Sequence, residues 1–171
     1  MKIINVSCRN GNTNSLLDHL KGHVFHLTTQ TTCDAILISG EILHNKDQRF
    51  KLNTSSENSF GRLMGYVCFF DLRNDSPELI ERVHGCYPFL SPPWFETLHE
   101  NCTVRNLAYL ILNPAYYERI IPYSSVHDHA RNTGKLLKAI PHGEVWIENR
   151  VPINWIETVL VANIVTGKKR S

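Results

Sequence analysis

The chain has 171 residues, with 18 Lys+Arg against 16 Asp+Glu and nine histidines, a formal net charge of +2. With 42% hydrophobic and 20% charged residues, it has too much apolar surface to stay disordered. One core can accommodate residues 1–171 as a single domain, since a chain of about 150 residues buries roughly 68–70% of its unfolded surface.

The charge is too slight to demand a nucleic-acid partner, although Arg62, Arg73, Arg105, Arg131 and the ending GKKRS could line a phosphate-binding face. The start MKIINVSCRN has no apolar leader core, and no window reaches the ~18 apolar residues of a membrane span. The expectation is a cytoplasmic protein with no membrane partner. The five cysteines, Cys8, Cys33, Cys68, Cys86 and Cys102, are odd in number and form no CxxC pair. That argues against a zinc ribbon and a disulfide framework, and leaves reduced packing thiols.

In chain order, Lys2 to Val6 reads as a strand, NGNTNS as a polar break and Leu16 to Leu20 as a short amphipathic segment. HVFHLTTQTTCDAILISGEI then changes period: Val24, Phe25 and Leu27 suggest a strand, and the threonines offer helix caps. Cys33, Ile36 and Leu37 follow at helical spacing before Gly40, which suits a helix end. Asn45 to Asn58 reads as a surface loop, Tyr66 to Leu72 as a buried strand, and SPELIERV as a short helix opened by Pro77.

HGCYPFLSPPWFETLHENC is rich in proline and aromatics and predicts an irregular excursion. VRNLAYLILN is a strand stopped by Pro114, and mixed signals follow it. In HGEVWIENRVPINWIETVLV, Val145 to Ile147 forms an apolar strand run and Pro152 a turn or first helical position. Trp155-Ile156 then leads into a strand from Val159 to Val165. The sum is one α+β domain with a mostly antiparallel, strand-dominated sheet flanked by short helices.

Four groups of residues could carry chemistry. His26 and Thr28 lie two apart on a strand and so share a face, where an imidazole and a hydroxyl suit ribose hydroxyls or an amide; a partly buried structural histidine with Thr28 as helix N-cap is the bland alternative. Ser59, Arg62 and Tyr66 precede or start a strand, and Arg62 offers a fork of donors for a pyrophosphate. Glu144 stands at the start of a strand, with Glu148 as its competitor. One carboxylate there can stabilise an oxocarbenium ion if the leaving group departs easily, as neutral nicotinamide does from NAD; a solvated strand-edge charge is the alternative. His127, Asp128, His129 and His142 have metal-competent side chains.

His26-Leu27-Thr28, then Ser59-Phe60-Gly61-Arg62 before a strand, then the late Gly143-Glu144-Val145-Trp146, in that order, resemble the layout of the ADP-ribosyltransferase fold. The resemblance is nearest to small bacterial members related to DNA-targeting ADP-ribosyltransferase toxins. It implies a split sheet and an enzyme that cleaves NAD at the nicotinamide bond and passes ADP-ribose to a nucleic acid or protein. A toxin or phage-defence setting with an antitoxin, and no metal, would accompany it. Carried over by position, His26 and Thr28 would bind the nicotinamide ribose, Ser59 and Tyr66 would complete the NAD site, Arg62 would contact NAD and Glu144 would polarise the reacting ribose. The chain lacks an E-x-E pair, because His142 stands two residues before Glu144, which turns the expectation away from arginine-directed protein transfer. Two other readings stand beside this one. One is a metal-dependent hydrolase or nuclease on His127, Asp128 and His129; the other is a binding module, an inhibitor or antitoxin, presenting Trp94, Phe95, Tyr116 and Tyr117.

Overall fold

A computed structural model describes residues 1–9, 12–50, 60–74, 97–98, 102–125, 128, 132 and 143–167. Among them the elements are β1 (Lys2–Arg9), α1 (Asn14–Leu20), β2 (Val24–Thr29), α2 (Gln30–Ser39), β3 (Glu41–Leu43), α3 (Phe60–Met64) and β4 (Tyr66–Asp71). After these come β5 (Thr97–Leu98), β6 (Cys102–Leu112), β7 (Glu144–Glu148), β8 (Arg150–Pro152) and β9 (Ile156–Gly167). The main sheet runs β1-β9-β6-β2-β4-β7, with β5 also paired to β6, and β3 and β8 form a separate two-stranded ribbon. Every pairing is antiparallel except β1 with β9. The protein is therefore a single-domain α+β molecule with a mostly antiparallel sheet and few helices.

Both faces of the sheet centre are covered, which explains why Leu107 to Leu112 is an unbroken buried run and not an alternation. On one face Leu16, Leu17 and Leu20 of α1 pack with Phe25, Tyr109, Leu160 and Ala162. A helix of seven residues is too short to hold by propensity alone, but each fully buried leucine contributes about 1.5–3 kcal/mol. On the other face Cys33 and Ile36 of α2, with Ile42 and Val151 of the ribbon, cover Val24, Phe69, Leu110 and Val159. The ribbon stays attached because Ile153 N donates to Gly40 O at 2.8 Å.

Local chemistry sets the helix ends. The cap of α2 is Thr29 and not Thr28, which is still within β2: Thr29 accepts a hydrogen bond from Thr32 N at 3.1 Å, and Gly40 closes α2 in the left-handed region at φ 81°. Pro114 opens a 3-10 turn over Pro114–Arg119, capped by Asn113, whose Oδ1 accepts from Ala115 N at 2.9 Å. α3 was not anticipated: the stretch read as the lead-in to a strand is a single helical turn, closed by Gly65 at φ 81°. Its five residues hold because Phe60 is buried against Trp146. The expected helix SPELIERV and the proline-rich excursion lie outside the described residues, apart from the two residues of β5 and Cys102, which begins β6. No described helix is long and apolar enough to cross a membrane.

A buried carboxylate in a tyrosine-walled cavity

Where β4 ends and β7 begins, the backbone is tied by Asp71 N donating to Gly143 O at 2.7 Å. Gly143 has φ +75°, and a Cβ there would stand 3.1 Å from Asp71 O, so the turn needs glycine both for its conformation and for space. This turn delivers Glu144 to the first position of β7, where it is 7% exposed.

Two donors meet the Glu144 carboxyl. Trp146, two residues on and therefore on the same face of the strand, donates from Nε1 to Oε1 at 2.8 Å. The Cys68 thiol, paired across the ladder with Trp146, also donates to it. Burial holds the carboxyl above its ordinary 4.5, and the bonds from Trp146 and Cys68 act the other way. An acid desolvated yet supplied with donors to its ionised form is poised to titrate, as functional carboxylates often are.

Glu144 lines a cavity of about 380 Å³ whose other walls include Asp71, Arg73, Tyr117 and Tyr123. The Arg73 guanidinium is oriented twice over. It donates to Asp71 through Nε at 3.0 Å and Nη2 at 2.7 Å, and it lies 4.4 Å above the centre of the Tyr117 ring. The Tyr123 ring lies nearly parallel to Trp146, at 22° and 6.5 Å. Tyr123 is brought there by Ile121, which bridges the outer edge of β7 with Ile121 N donating to Trp146 O at 2.7 Å and Trp146 N to Ile121 O at 3.3 Å. Two carboxylates, of which Asp71 is paired with the guanidinium, one guanidinium and two phenol rings thus line a common space, within the ~300–1,000 Å³ range of small-molecule sites.

The residues picked from sequence are distributed differently. Phe25 pairs with Phe70 and Phe70 with Glu144, so these three share a face, and His26 and Thr28 belong to the opposite one. His26 donates from Nδ1 to the Cys68 carbonyl at 2.8 Å and packs 5.8 Å from the Phe69 ring; burial holds its pKa below 6.5 against that bond. Thr28 is buried beside Ala108. Tyr66 is on the Glu144 side but pairs with Glu148, four residues or about 13 Å along β7.

Arg62 sits on α3 and does not line the cavity. Ser59 lies outside the described residues, as do His127, His129, His142, Trp94 and Phe95. Asp128 is exposed. Of the remaining surface candidates, Tyr116 stacks on Trp155 at 4.6 Å and 12°, and Tyr117 underlies Arg73; both are partly buried against the core. Glu148 is exposed where Glu144 is not, which separates the two carboxylates.

Sequence reasoning offered Arg73 only as one of several arginines for a phosphate-binding face and Tyr117 only as a surface aromatic, joined neither to Glu144, and passed over Tyr123 and the carboxylate-holding role of Trp146. Two signals were present: Asp-x-Arg closing a strand, and Glu-x-Trp within one, each putting partners on a shared side. No protein family, curated protein or solved structure matches this chain.

Proposed function

We propose that the chain is an NAD-consuming transferase that breaks the nicotinamide–ribose bond and hands ADP-ribose to a macromolecule, nucleic acid or protein, with Glu144 and Arg73 as its central pair. The observation that carries the reading is the 7% exposed Glu144 carboxylate, held by two donors, at the wall of a cavity with tyrosine rings and an oriented guanidinium. The cavity's volume suits the nicotinamide–ribose half of the dinucleotide.

In this reading the C1′–N bond breaks with its electron pair passing to the pyridinium nitrogen, and nicotinamide leaves neutral. Glu144 accepts a hydrogen bond from a ribose hydroxyl, and its negative charge stabilises the cation developing at C1′. Asp71 holds Arg73 through Nε and one Nη2 hydrogen, and the remaining N–H groups of the guanidinium bind a phosphate oxygen, while the tyrosine rings give flat surfaces for nicotinamide. A nucleophile of the acceptor then bonds to C1′ and loses its proton. An activity of this kind, unchecked, would be toxic, consistent with a toxin or phage-defence role under the control of an antitoxin.

The test is nicotinamide release from NAD by the purified chain offered DNA, RNA and protein in turn, with mass spectrometry of each acceptor. The expected result is release coupled to a mass gain on one acceptor, with Arg73→Gln raising KM for NAD roughly tenfold or more through loss of a charge-assisted contact. Absence of both NAD binding and release would end this reading.

A further inference from the structure

Trp146 is 0% exposed, and its single polar atom is directed at Glu144. An indole has one N–H and no acceptor, so this bond fixes the ring and one carboxyl oxygen together. The surroundings fix the ring further. Phe60 packs edge-on at 4.8 Å and 67°, Tyr123 covers the ring on another side, and the Trp146 backbone is locked to Ile121 by two hydrogen bonds. Gly61 completes the socket. Its φ is not in the left-handed range, so backbone freedom does not call for glycine there. Space does: a Cβ on Gly61 would lie 2.6 Å from Trp146 Cδ1 and 2.8 Å from Nε1, and would also strike the Cys68 sulfur.

We infer that Trp146 is a positioning residue for the Glu144 carboxylate, and that Gly61 on α3 is the residue that makes room for its indole; this rests on Glu144 being the carboxylate that faces the reacting ribose. α3 therefore acts on the cavity without lining it. Phe60 and Gly61 set the indole, the indole sets the carboxylate oxygen, and Ile121 carries Tyr123 to the same place. The other groups around Glu144 are the Cys68 thiol on β4, Asp71 and Arg73 at its end, and Tyr117 and Tyr123 across the cavity. Trp146 and Cys68 donate to the carboxyl.

The experiment uses the full chain as wild type, Trp146→Phe, Gly61→Ala and Glu144→Gln. Indole N–H resonances are followed by NMR through a pH series, with nicotinamide release from NAD measured alongside. One of the three tryptophan resonances is expected to shift with a single titration, to stop shifting in Glu144→Gln and to be missing in Trp146→Phe. In Trp146→Phe, kcat should fall about ten- to a hundredfold, the size of a lost hydrogen bond to a charged group, while KM stays within about twofold. The acid limb of the rate profile should move to higher pH, because a donor to the ionised form is gone. Gly61→Ala, which keeps the indole but shifts it, should lower kcat in the same direction, so the inference remains testable if Trp146→Phe is too unstable to assay. An indole resonance indifferent to Glu144, or a folded Trp146→Phe with unchanged kcat and acid limb, overturns it. If wild type releases no nicotinamide while the resonance still follows Glu144, the transferase reading falls and the carboxylate–indole unit stands.

Discussion

Replacing Glu144 by Gln keeps the shape of the side chain and an oxygen able to accept from Trp146 Nε1, but removes the charge. If the carboxylate stands about 4 Å from the cation that forms at the ribose, at an effective dielectric of about 20, it contributes roughly 4 kcal/mol, or about a thousandfold in rate. The assay is nicotinamide release from NAD, with KM measured separately, and the loss belongs in kcat. Stability should move in the opposite direction. Below the ordinary value of 4.5 the carboxyl is protonated in both folded and unfolded chains and costs nothing. As pH rises past 4.5 the unfolded chain releases the proton while the buried group retains it, and stability drops until the raised folded value is passed. Glu144→Gln lacks this loss, so thermal melts of the two proteins should diverge above pH 4.5 with the variant the more stable. A variant that releases nicotinamide within about threefold of wild type, or that shows no relative gain in melting temperature between acid and neutral pH, refutes the reasoning.

Two other substitutions and treatments probe the same architecture. Gly143→Ala forces an L side chain to φ +75° and places its Cβ 3.1 Å from Asp71 O, so it should cost about 1–3 kcal/mol in denaturant unfolding and displace Glu144, lowering nicotinamide release as well. Cys33 is pushed up to about 11, chiefly by burial and also by Asp34, so at about pH 8 its thiolate is on the order of a hundredfold scarcer than that of an ordinary thiol. Mass spectrometry after brief alkylation should find the Cys33 peptide unlabelled in the native protein and labelled once the chain is unfolded; rapid native labelling would show that α2 does not seal this face.

The parts legible in the sequence were those governed by neighbours along the chain. The β2–α2 unit could be read because Thr29 caps and Gly40 closes within one local stretch, and the leucines of α1 because their spacing presents one stripe. The same holds for Glu144, whose strand follows directly in Val145 to Ile147. What could not be read was register. His26 and Thr28 share a face, as expected from their spacing, but whether that face is also Glu144's depends on how β2 meets β4 and how β4 meets β7. A slip of one residue reverses the answer, and nothing local fixes it. Arg73 and Glu144 are 71 positions apart and meet only because β4 and β7 pair antiparallel with Phe70 opposite Glu144. α3 was missed for a related reason. Five residues carry no readable helical period, and Phe60 and Gly61 make sense only against Trp146, which comes far later in the chain.

The parallel union of β1 with β9, Lys2 opposite Thr158 through Arg9 opposite Val165, has a consequence for assembly. Among the described strands, the neighbour of β1 in the main sheet is β9, which is synthesised more than 140 residues later. Until β9 emerges, β6 lacks one partner and β1 has no edge to join, so Ile4, Val6 and Cys8 cannot take their places in the cluster they finally share with α1. Contacts that span most of a chain slow folding and lengthen the life of half-built sheets with open edges. During synthesis the sheet therefore closes from its middle outward, and β1 is seated only after β9 has followed it.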